Sequence, residues 1–396
     1  MNFETLNSEF NGLLPGGYEW LAFIAAALVF VFVVINTLVA VTAFYTWFER
    51  RAIGRFHARL GPNRWGPYGL LQPMADVLKL ITKEDTVPET ADKTMFFLAP
   101  IVFIVPTFIV FALIPFGEDS FLGSLNVGIL FVVAVTGINT FGVFMGGWSS
   151  RNKYAMFGAV RSVAILISYE VPMALSLVGV VLVAGSMSLL SIADSQNAVP
   201  YLFVQPLGFL VFLTAASAEM NRTPFDLAEG ESELVGGYLT EYSGMKFGIF
   251  QLAEFMAPLL TASIATVLFL GGTKWGLDPV PGQIWFLVKA FLVVFFLLWV
   301  RSTWPRLRVD QMMGFAWKGL LPLSLVNLFV LAIEVLIFQD PGTGVVPPER
   351  LWWMAAFNWP FAIVSIVVLA HIMGQRPTKM GSAGPLRLAA QRAEGN

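Results

Sequence analysis

The sequence predicts an all-α polytopic membrane protein with about nine transmembrane helices and amphipathic helices on the cytoplasmic surface. Of the 396 residues, 57% are hydrophobic and only 13% are charged, whereas soluble domains average about 45–50% apolar and about 25% charged residues. Several apolar runs also reach the roughly 20 residues that a helix needs to cross the hydrocarbon core of a bilayer. Most of the chain is therefore expected to fold in lipid.

The predicted spans fall into two groups. Five apolar runs contain no Asp, Glu, Lys or Arg, namely 20–48, 95–117, 120–150, 195–218 and 351–375. Four further runs carry one or two ionisable residues, namely 157–185, 247–271, 283–301 and 319–338. We expect residues 1–374 to form a single transmembrane domain and residues 375–396 to form a cytoplasmic tail.

The distribution of basic residues predicts the orientation. The alternate connecting segments 49–94, 149–161, 219–246, 301–318 and 374–396 hold 21 of the 24 Lys and Arg residues. Because Lys and Arg accumulate in short cytoplasmic loops, these segments are expected on the cytoplasmic side. The N terminus would then lie outside and the C terminus inside the cell, and the protein is expected in the cell (inner) membrane.

Composition also excludes several kinds of chemistry. The chain has no cysteine and only two histidines, which rules out a thiol nucleophile and iron–sulfur or zinc ligation by cysteine on this chain. No metal site or bound cofactor is predicted. Topology accounts for the basic residues, so no nucleic-acid binding is expected, and membrane lipid is the expected surroundings.

Two cytoplasmic stretches are expected to form surface helices. Apolar residues recur at helical spacing in the first cytoplasmic loop, 49–94, at Leu70, Leu71, Met74, Val77, Leu78 and Ile81. Such a pattern is typical of an amphipathic helix at the membrane surface. The stretch 312–317 is a second candidate. The simpler interpretation is that both helices only cover the bundle.

Carboxylates inside apolar runs are the first functional signal. Glu170, Glu254 and Glu334 lie within predicted spans, and Glu219 lies at the cytoplasmic end of another. A charge at the bilayer centre costs about 2.5–3.5 kcal/mol on insertion scales, so acids there often serve proton relays. The alternative is a protonated or paired structural acid, which we expect for Glu334 because its sequence context has no distinguishing feature.

An acidic cytoplasmic loop, 219–246, is the second signal. It contains six acids against two basic residues: Glu219, Asp226, Glu229, Glu231, Glu233 and Glu241 against Arg222 and Lys246. A solvated face is the usual explanation for such a run. The apolar residues between the acids indicate that part of this loop packs, and clustered carboxyls in a partly dry place share protons.

Arginines at the cytoplasmic ends of spans are the third signal. Most are expected to set topology or contact lipid headgroups. A few could orient a polar headgroup, because the guanidinium group offers a fixed fork of donors. The sequence does not decide which of them do so.

These segments together resemble the quinone-chamber membrane subunit of respiratory complex I, the H subunit of the NADH:quinone oxidoreductases (NDH-1). The resemblance covers residues from about 45 to 325. It rests on the motifs Glu49-Arg50-Arg51, Arg59-Leu60-Gly61-Pro62-Asn63-Arg64, Gly69-Leu70-Leu71-Gln72-Pro73, Ser168-Tyr169-Glu170-Val171-Pro172, the run 218–242, Ala253-Glu254 and Arg301-Ser302-Thr303-Trp304-Pro305-Arg306.

The resemblance implies a subunit of a proton-translocating enzyme in which NADH electrons pass through FMN and iron–sulfur clusters on partner subunits to a quinone. This chain would meet the peripheral-arm subunits of the quinone site and the antiporter-like membrane subunits. Its quinone-facing residues would be Arg50, Arg59, Asp76, Phe225, Arg301 and Arg306. Its proton-coupling path would consist of Glu170, Glu219, Asp226, Glu229, Glu231, Glu233, Glu241 and Glu254.

Two alternatives stay open. A homologous anchoring subunit of a membrane-bound hydrogenase-type complex would keep the fold but change the partners. A stand-alone secondary transporter with acids at the midplane would be a different class of protein, and an inverted repeat would support it.

Overall fold

The computed structural model describes residues 7–8, 10–11, 19–117, 125–226, 235–277, 279–340 and 346–374. Every regular element in these residues is helical, as predicted. The helices up to the acidic loop are α1 (Glu19–Phe56), α2 (Gln72–Thr82), α3 (Lys93–Leu113), α4 (Gly128–Thr136), α5 (Ile138–Ser149), α6 (Lys153–Ala184), α7 (Leu189–Ser195), α8 (Tyr201–Val204) and α9 (Pro206–Glu219). After that loop come α10 (Gly244–Phe269), α11 (Gly282–Thr303), α12 (Val309–Phe315), α13 (Leu321–Phe338) and α14 (Pro348–Gly374).

Eight helical stretches in the described residues are long and apolar enough to cross a membrane. They include α4 with α5 as one stretch, Gly128–Ser149, and α12 with α13 as another, Val309–Phe338. The remaining predicted span, 195–218, corresponds to the shorter helix α9 preceded by the single turn of α8. The polytopic all-α fold is confirmed. The predicted tail, 375–396, lies outside the described residues.

The fifth predicted span differs from the expectation of one continuous helix, because it breaks at Gln205. Gln205 has φ −136° and ψ 68°, outside the helical region. The next residue, Pro206, has no N–H to donate, and its ring disfavours the helical conformation in the residue before it. The chain therefore ends α8 at Val204 and begins α9 again at Pro206.

Helix α6 is central to the bundle. It packs against α5, α9 and α13, while α10 packs against α3 and α11. Sixteen of its residues are buried. By contrast, α1 and α14 are mostly exposed within this chain, which leaves their apolar surfaces facing lipid or other subunits. The fourth span thus carries Glu170 into the interior of the molecule.

Lys289 shows how the bundle accommodates a cation inside a span. Its Nζ donates to the carbonyls of Leu270 and Gly272 at 2.8 and 3.1 Å, and also to that of Lys274. These carbonyls follow the end of α10 at Phe269. The last carbonyls of a helix have no partner within it and form its negative end, so the lysine of α11 caps α10.

The two expected surface helices differ from each other. In α2, the apolar residues at helical spacing are exposed within this chain, and the helix rests on α10 through Leu80, whose Cδ1 lies against Gly248. The stretch 312–317 is instead part of a membrane-length helix, with Met312 fully buried. A π-helical turn, Ala316–Leu320, joins α12 to α13.

The orientation can be tested by single-cysteine labelling, because the chain has no cysteine of its own. Asn197 and Thr90 are exposed in connections that the topology places on opposite sides. Asn197→Cys should react with a membrane-impermeant maleimide from outside the cell. Thr90→Cys should react only in inside-out vesicles. Reaction of both from the same side would contradict the orientation.

Candidate functional site: an acid-lined cavity

Three of the predicted coupling acids line one internal cavity. Glu170 on α6, Glu219 at the end of α9 and Glu254 on α10 all contribute to its wall. The space open to the centres of water molecules is about 70 Å³, and a buried water needs only about 10–15 Å³ on this measure. The cavity therefore has room for several waters among carboxyl groups that three different helices supply.

Glu170 faces the break between α4 and α5. A Cβ at Gly137 would lie 2.9 Å from Glu170 Oε1. The backbone of Gly137 is helical, with φ −57° and ψ −23°, so glycine is needed there for space rather than for conformation. The carboxyl group of the fourth span thus fits against the third span only because this position has no side chain.

Glu254 is held by a residue of the acidic loop. Tyr238 donates its hydroxyl to Glu254 Oε1 at 2.8 Å, and Gln251 Nε2 lies 3.4 Å from Oε2. Tyr238 is fully buried, and Glu254 is only 6% exposed. Since Gly237 lies directly against Gly158 of α6, this part of the loop packs into the bundle, as its apolar residues predicted.

The loop is anchored a second time at Tyr242 and Glu241. Tyr242 stacks on Phe96 with ring centroids 4.1 Å apart and donates to the Phe96 carbonyl at 3.2 Å. Burial raises the pKa of Tyr242 to about 12, so its hydroxyl stays a donor at neutral pH. Glu241 Oε1 accepts from Asn152 Nδ2 at 2.6 Å, at the start of α6.

The other predicted coupling acids are not all placed. Asp226 is half-buried just after Phe225. Glu229, Glu231 and Glu233 lie outside the described residues. Of the eight acids predicted for the coupling path, the structure therefore brings Glu170, Glu219 and Glu254 together at one cavity.

A second, smaller pocket adjoins this cavity, and Met220 lines both. Glu49 lies beside it, at 2% exposure. Its Oε1 forms ion pairs with Arg301 and, at 3.5 Å, with Arg222. Arg222 also lies over the ring of Phe255, 4.6 Å from its centroid. Two arginines thus share one buried carboxylate near the cytoplasmic ends of α1 and α11.

Glu49 and Arg222 were not predicted as site residues. Glu49 stands directly after a charge-free run and before Arg50 and Arg51, so an acid at a span end beside two bases was the available signal. Nothing in the pattern indicates that its partners are Arg301 and Arg222, which lie more than 170 positions further along the chain.

The remaining predicted quinone contacts lie around this pair of arginines. Arg50 forms an ion pair with Asp76 at 2.5 Å. Phe225 is 5% exposed and packs edge-on against Tyr169, 5.2 Å between ring centroids. Arg306 is half-buried, and the N–H of the following residue, Leu307, donates to the Pro224 carbonyl at 3.0 Å.

Arg59 is set apart from the others. It lies on an exposed turn after α1, where its backbone N–H donates to the Gly54 carbonyl at 2.8 Å. The structure thus joins the segments that carry Phe225 and Arg306, pairs Arg50 with Asp76, and leaves Arg59 at the surface of this chain.

The fold and site define a class of protein: a multi-pass membrane protein with a cavity of clustered carboxyls next to a buried arginine–carboxylate group. Comparison with known proteins specifies the family. A sequence model described as NADH dehydrogenase matches residues 27–332. The chain belongs to this family, which confirms the resemblance predicted from the motifs.

Curated relatives carry one name, that of the H subunit of NADH-quinone oxidoreductase. The chain is 52% identical to that of Dehalococcoides mccartyi (strain CBDB1) over 318 residues, which cover 80% of this chain and 88% of the relative. It is 48% identical to that of Bacillus cytotoxicus over 329 residues, 81% of this chain and 97% of the relative. With that of Bacillus cereus (strain B4264) the identity is 50% over 304 residues, 75% and 91% of the two chains.

The contact between Gly137 and Glu170 can be tested by Gly137→Ala. The added Cβ would lie 2.9 Å from the carboxyl oxygen, so the carboxyl or the helix must move. Overpacking of this kind costs about 1–3 kcal/mol, which should lower the thermal unfolding midpoint. Gly314→Ala is the matched control, because a Cβ at Gly314 meets nothing within 4 Å.

Shortening the acid should relieve the clash. Gly137→Ala combined with Glu170→Asp should be less destabilised than the sum of the single variants, as expected for residues in contact. Equal tolerance of alanine at positions 137 and 314 would contradict the contact.

Proposed function

We propose that this chain is the membrane subunit of a proton-translocating NADH:quinone oxidoreductase that forms the quinone-binding tunnel and the acidic path coupling quinone reduction to proton pumping. The chain carries no redox centre in this proposal. FMN and iron–sulfur clusters on partner subunits deliver electrons, and quinone is the substrate. The partners are peripheral-arm subunits of the quinone site and antiporter-like membrane subunits, in the cell (inner) membrane.

The acid-lined cavity carries this proposal. Glu170, Glu219 and Glu254 come from separate helices and share one space large enough for water. Charged carboxylates so placed would repel one another, so the group holds protons at neutral pH and its members titrate together. A hydrated, coupled group of acids can take up or pass on a proton when a charge nearby changes.

The arginine pocket supports the quinone end of the path. It contains Arg301 and Tyr45 and shares Met220 with the acid-lined cavity. A reduced quinone headgroup gains negative charge until it is protonated. Arginines near the headgroup would stabilise that charge, and acids in the adjoining cavity would respond to it. Arg50, Arg59, Asp76, Phe225 and Arg306 complete the proposed tunnel surface.

Within the coupling path, the described residues suggest a role for Tyr238 and Asn152. Tyr238 fixes the carboxyl of Glu254, and Asn152 fixes that of Glu241. Asp226, Glu229, Glu231 and Glu233 would continue the path along the acidic loop. A hydrogen-bonded carboxyl in a fixed position transfers protons over a short distance, whereas a mobile surface acid exchanges them with bulk water.

The alternatives fit the comparisons less well. A hydrogenase-type anchoring subunit would share the fold, but the curated relatives named above are subunits of an NADH-quinone oxidoreductase. A stand-alone transporter would not need the cytoplasmic motifs that this chain shares with the family.

Glu219→Gln tests the coupling role, because the amide keeps the shape of the side chain and removes the titratable group. A positioned proton-transfer group contributes about 10²–10⁴-fold to rate. Quinone-linked NADH oxidation and proton pumping by the assembled complex should therefore fall about a hundredfold. Electron transfer from NADH to a hydrophilic acceptor at the peripheral arm should continue.

The control is Glu349→Gln, an exposed acid at the start of α14, which should leave both activities unchanged. An uncoupler should not restore the rate of the Glu219→Gln complex. Normal turnover with normal pumping in that complex would show that Glu219 is not part of a required proton path.

A further inference from the structure

A second group of buried polar side chains lies where α13 and α14 meet the break between α8 and α9. Glu334 on α13 and Asn358 on α14 are 5% and 3% exposed. Asn358 Nδ2 donates to Glu334 Oε2 at 2.7 Å and to the Val204 carbonyl at 2.8 Å. Both residues lie beyond the 27–332 segment that matches the family.

This group is separate from the acid-lined cavity. Val204 precedes α9, whereas Glu219 ends that helix, so the two sites lie about 20 Å apart along it at 1.5 Å per residue. Leu177 and Phe212 line the cavity, and neither Glu334 nor Asn358 does. Apolar side chains therefore stand between the two sites.

Glu334 lacks the partners that a buried carboxylate needs. Its Oε1 is buried without a hydrogen-bond partner, as is Oδ1 of Asn358. Among the described residues no lysine or arginine forms an ion pair with it. One hydrogen bond from a neutral amide does not offset the cost of a bare charge among apolar helices.

The charged groups at this end of the neighbouring elements lie at its rim. Arg350 donates to the Phe338 carbonyl at 3.0 Å, one turn beyond Glu334, and is exposed like Glu349 beside it. Asp340 follows the end of α13. Tyr201 on α8 shares a hydrogen bond of 2.8 Å with Ser195. None of these groups is hydrogen-bonded to Glu334 in the described residues.

The break at Gln205 adds further polar atoms close by. The side-chain amide of Gln205 is buried, and neither its oxygen nor its nitrogen has a partner. Gln205 Oε1 and Leu331 Cδ1 lie 2.8 and 3.1 Å from the same point, the Cβ position of Gly179. Leu331 precedes Glu334 by one turn, so the amide lies about one turn from the carboxyl.

We propose that Glu334 is a second proton-binding site of this chain, which Asn358 of the last helix closes. The site holds one proton as a neutral carboxylic acid. It exchanges that proton with the membrane face at which α13 ends, because Glu334 is only four residues, or about 6 Å of helix, from the end of α13 at Phe338. It acts separately from the quinone-linked acids.

Dicyclohexylcarbodiimide provides the test, because this apolar reagent adds to protonated carboxyl groups within membranes. The reagent would be applied to the assembled complex over a range of pH, and the modified residue identified by peptide mass spectrometry. Glu334 should be labelled, while exposed Glu349 should not. Above the titration point of the site, labelling should fall about tenfold per pH unit.

Two variants and one added ion sharpen the result. Asn358→Ala should increase labelling of Glu334 at a given pH, because it removes the group that covers the acid. Glu334→Gln should leave quinone-linked turnover and pumping intact, which separates this site from the one proposed above. Labelling of Glu334 in neither the unaltered nor the Asn358→Ala complex, or labelling independent of pH, would overturn the proposal. Loss of labelling on adding Na⁺ at fixed pH would assign the site to a metal cation instead.

Discussion

Lipid offers no hydrogen bonds, so every polar group inside this bundle must find its partner in the protein or in enclosed water. The structure meets this constraint locally in several ways. Lys289 uses the free carbonyls after α10, and Glu254 uses the hydroxyl of Tyr238. Where the protein supplies too few partners, as around Glu170, Glu219 and Glu254, the chain encloses space for water instead.

Irregular backbone in the spans occurs next to these polar groups. Gly137, between α4 and α5, faces the carboxyl of Glu170. The break at Gln205 leaves the Val204 carbonyl free for Asn358. Near the π-helical turn between α12 and α13, Trp317 Nε1 donates to Ser168 Oγ at 3.1 Å. Such departures from regular helix are tolerated in membranes where protein or a water-filled cavity covers them.

Much of the fold could be predicted because it depends on local composition. Apolar runs of sufficient length identify the spans, and the acids inside them identify the cavity-forming residues without any knowledge of their neighbours. Pro206 could have indicated the break in the fifth span, since proline disfavours helix in the residue before it. The partners of Glu49 and Glu334 could not be predicted, because Arg301 and Asn358 reach them only through packing between distant helices.

The central claim is that Glu170, Glu219 and Glu254 behave as one coupled proton-binding group that responds to quinone reduction. Infrared difference spectra of the assembled complex, with quinone oxidised and then reduced, report the C=O stretch of protonated carboxyls directly. In Glu254→Gln, the account predicts loss of one carboxyl signal together with shifts in the signals that remain. Loss of a single signal with all others unchanged, or no carboxyl signal on quinone reduction, would contradict it.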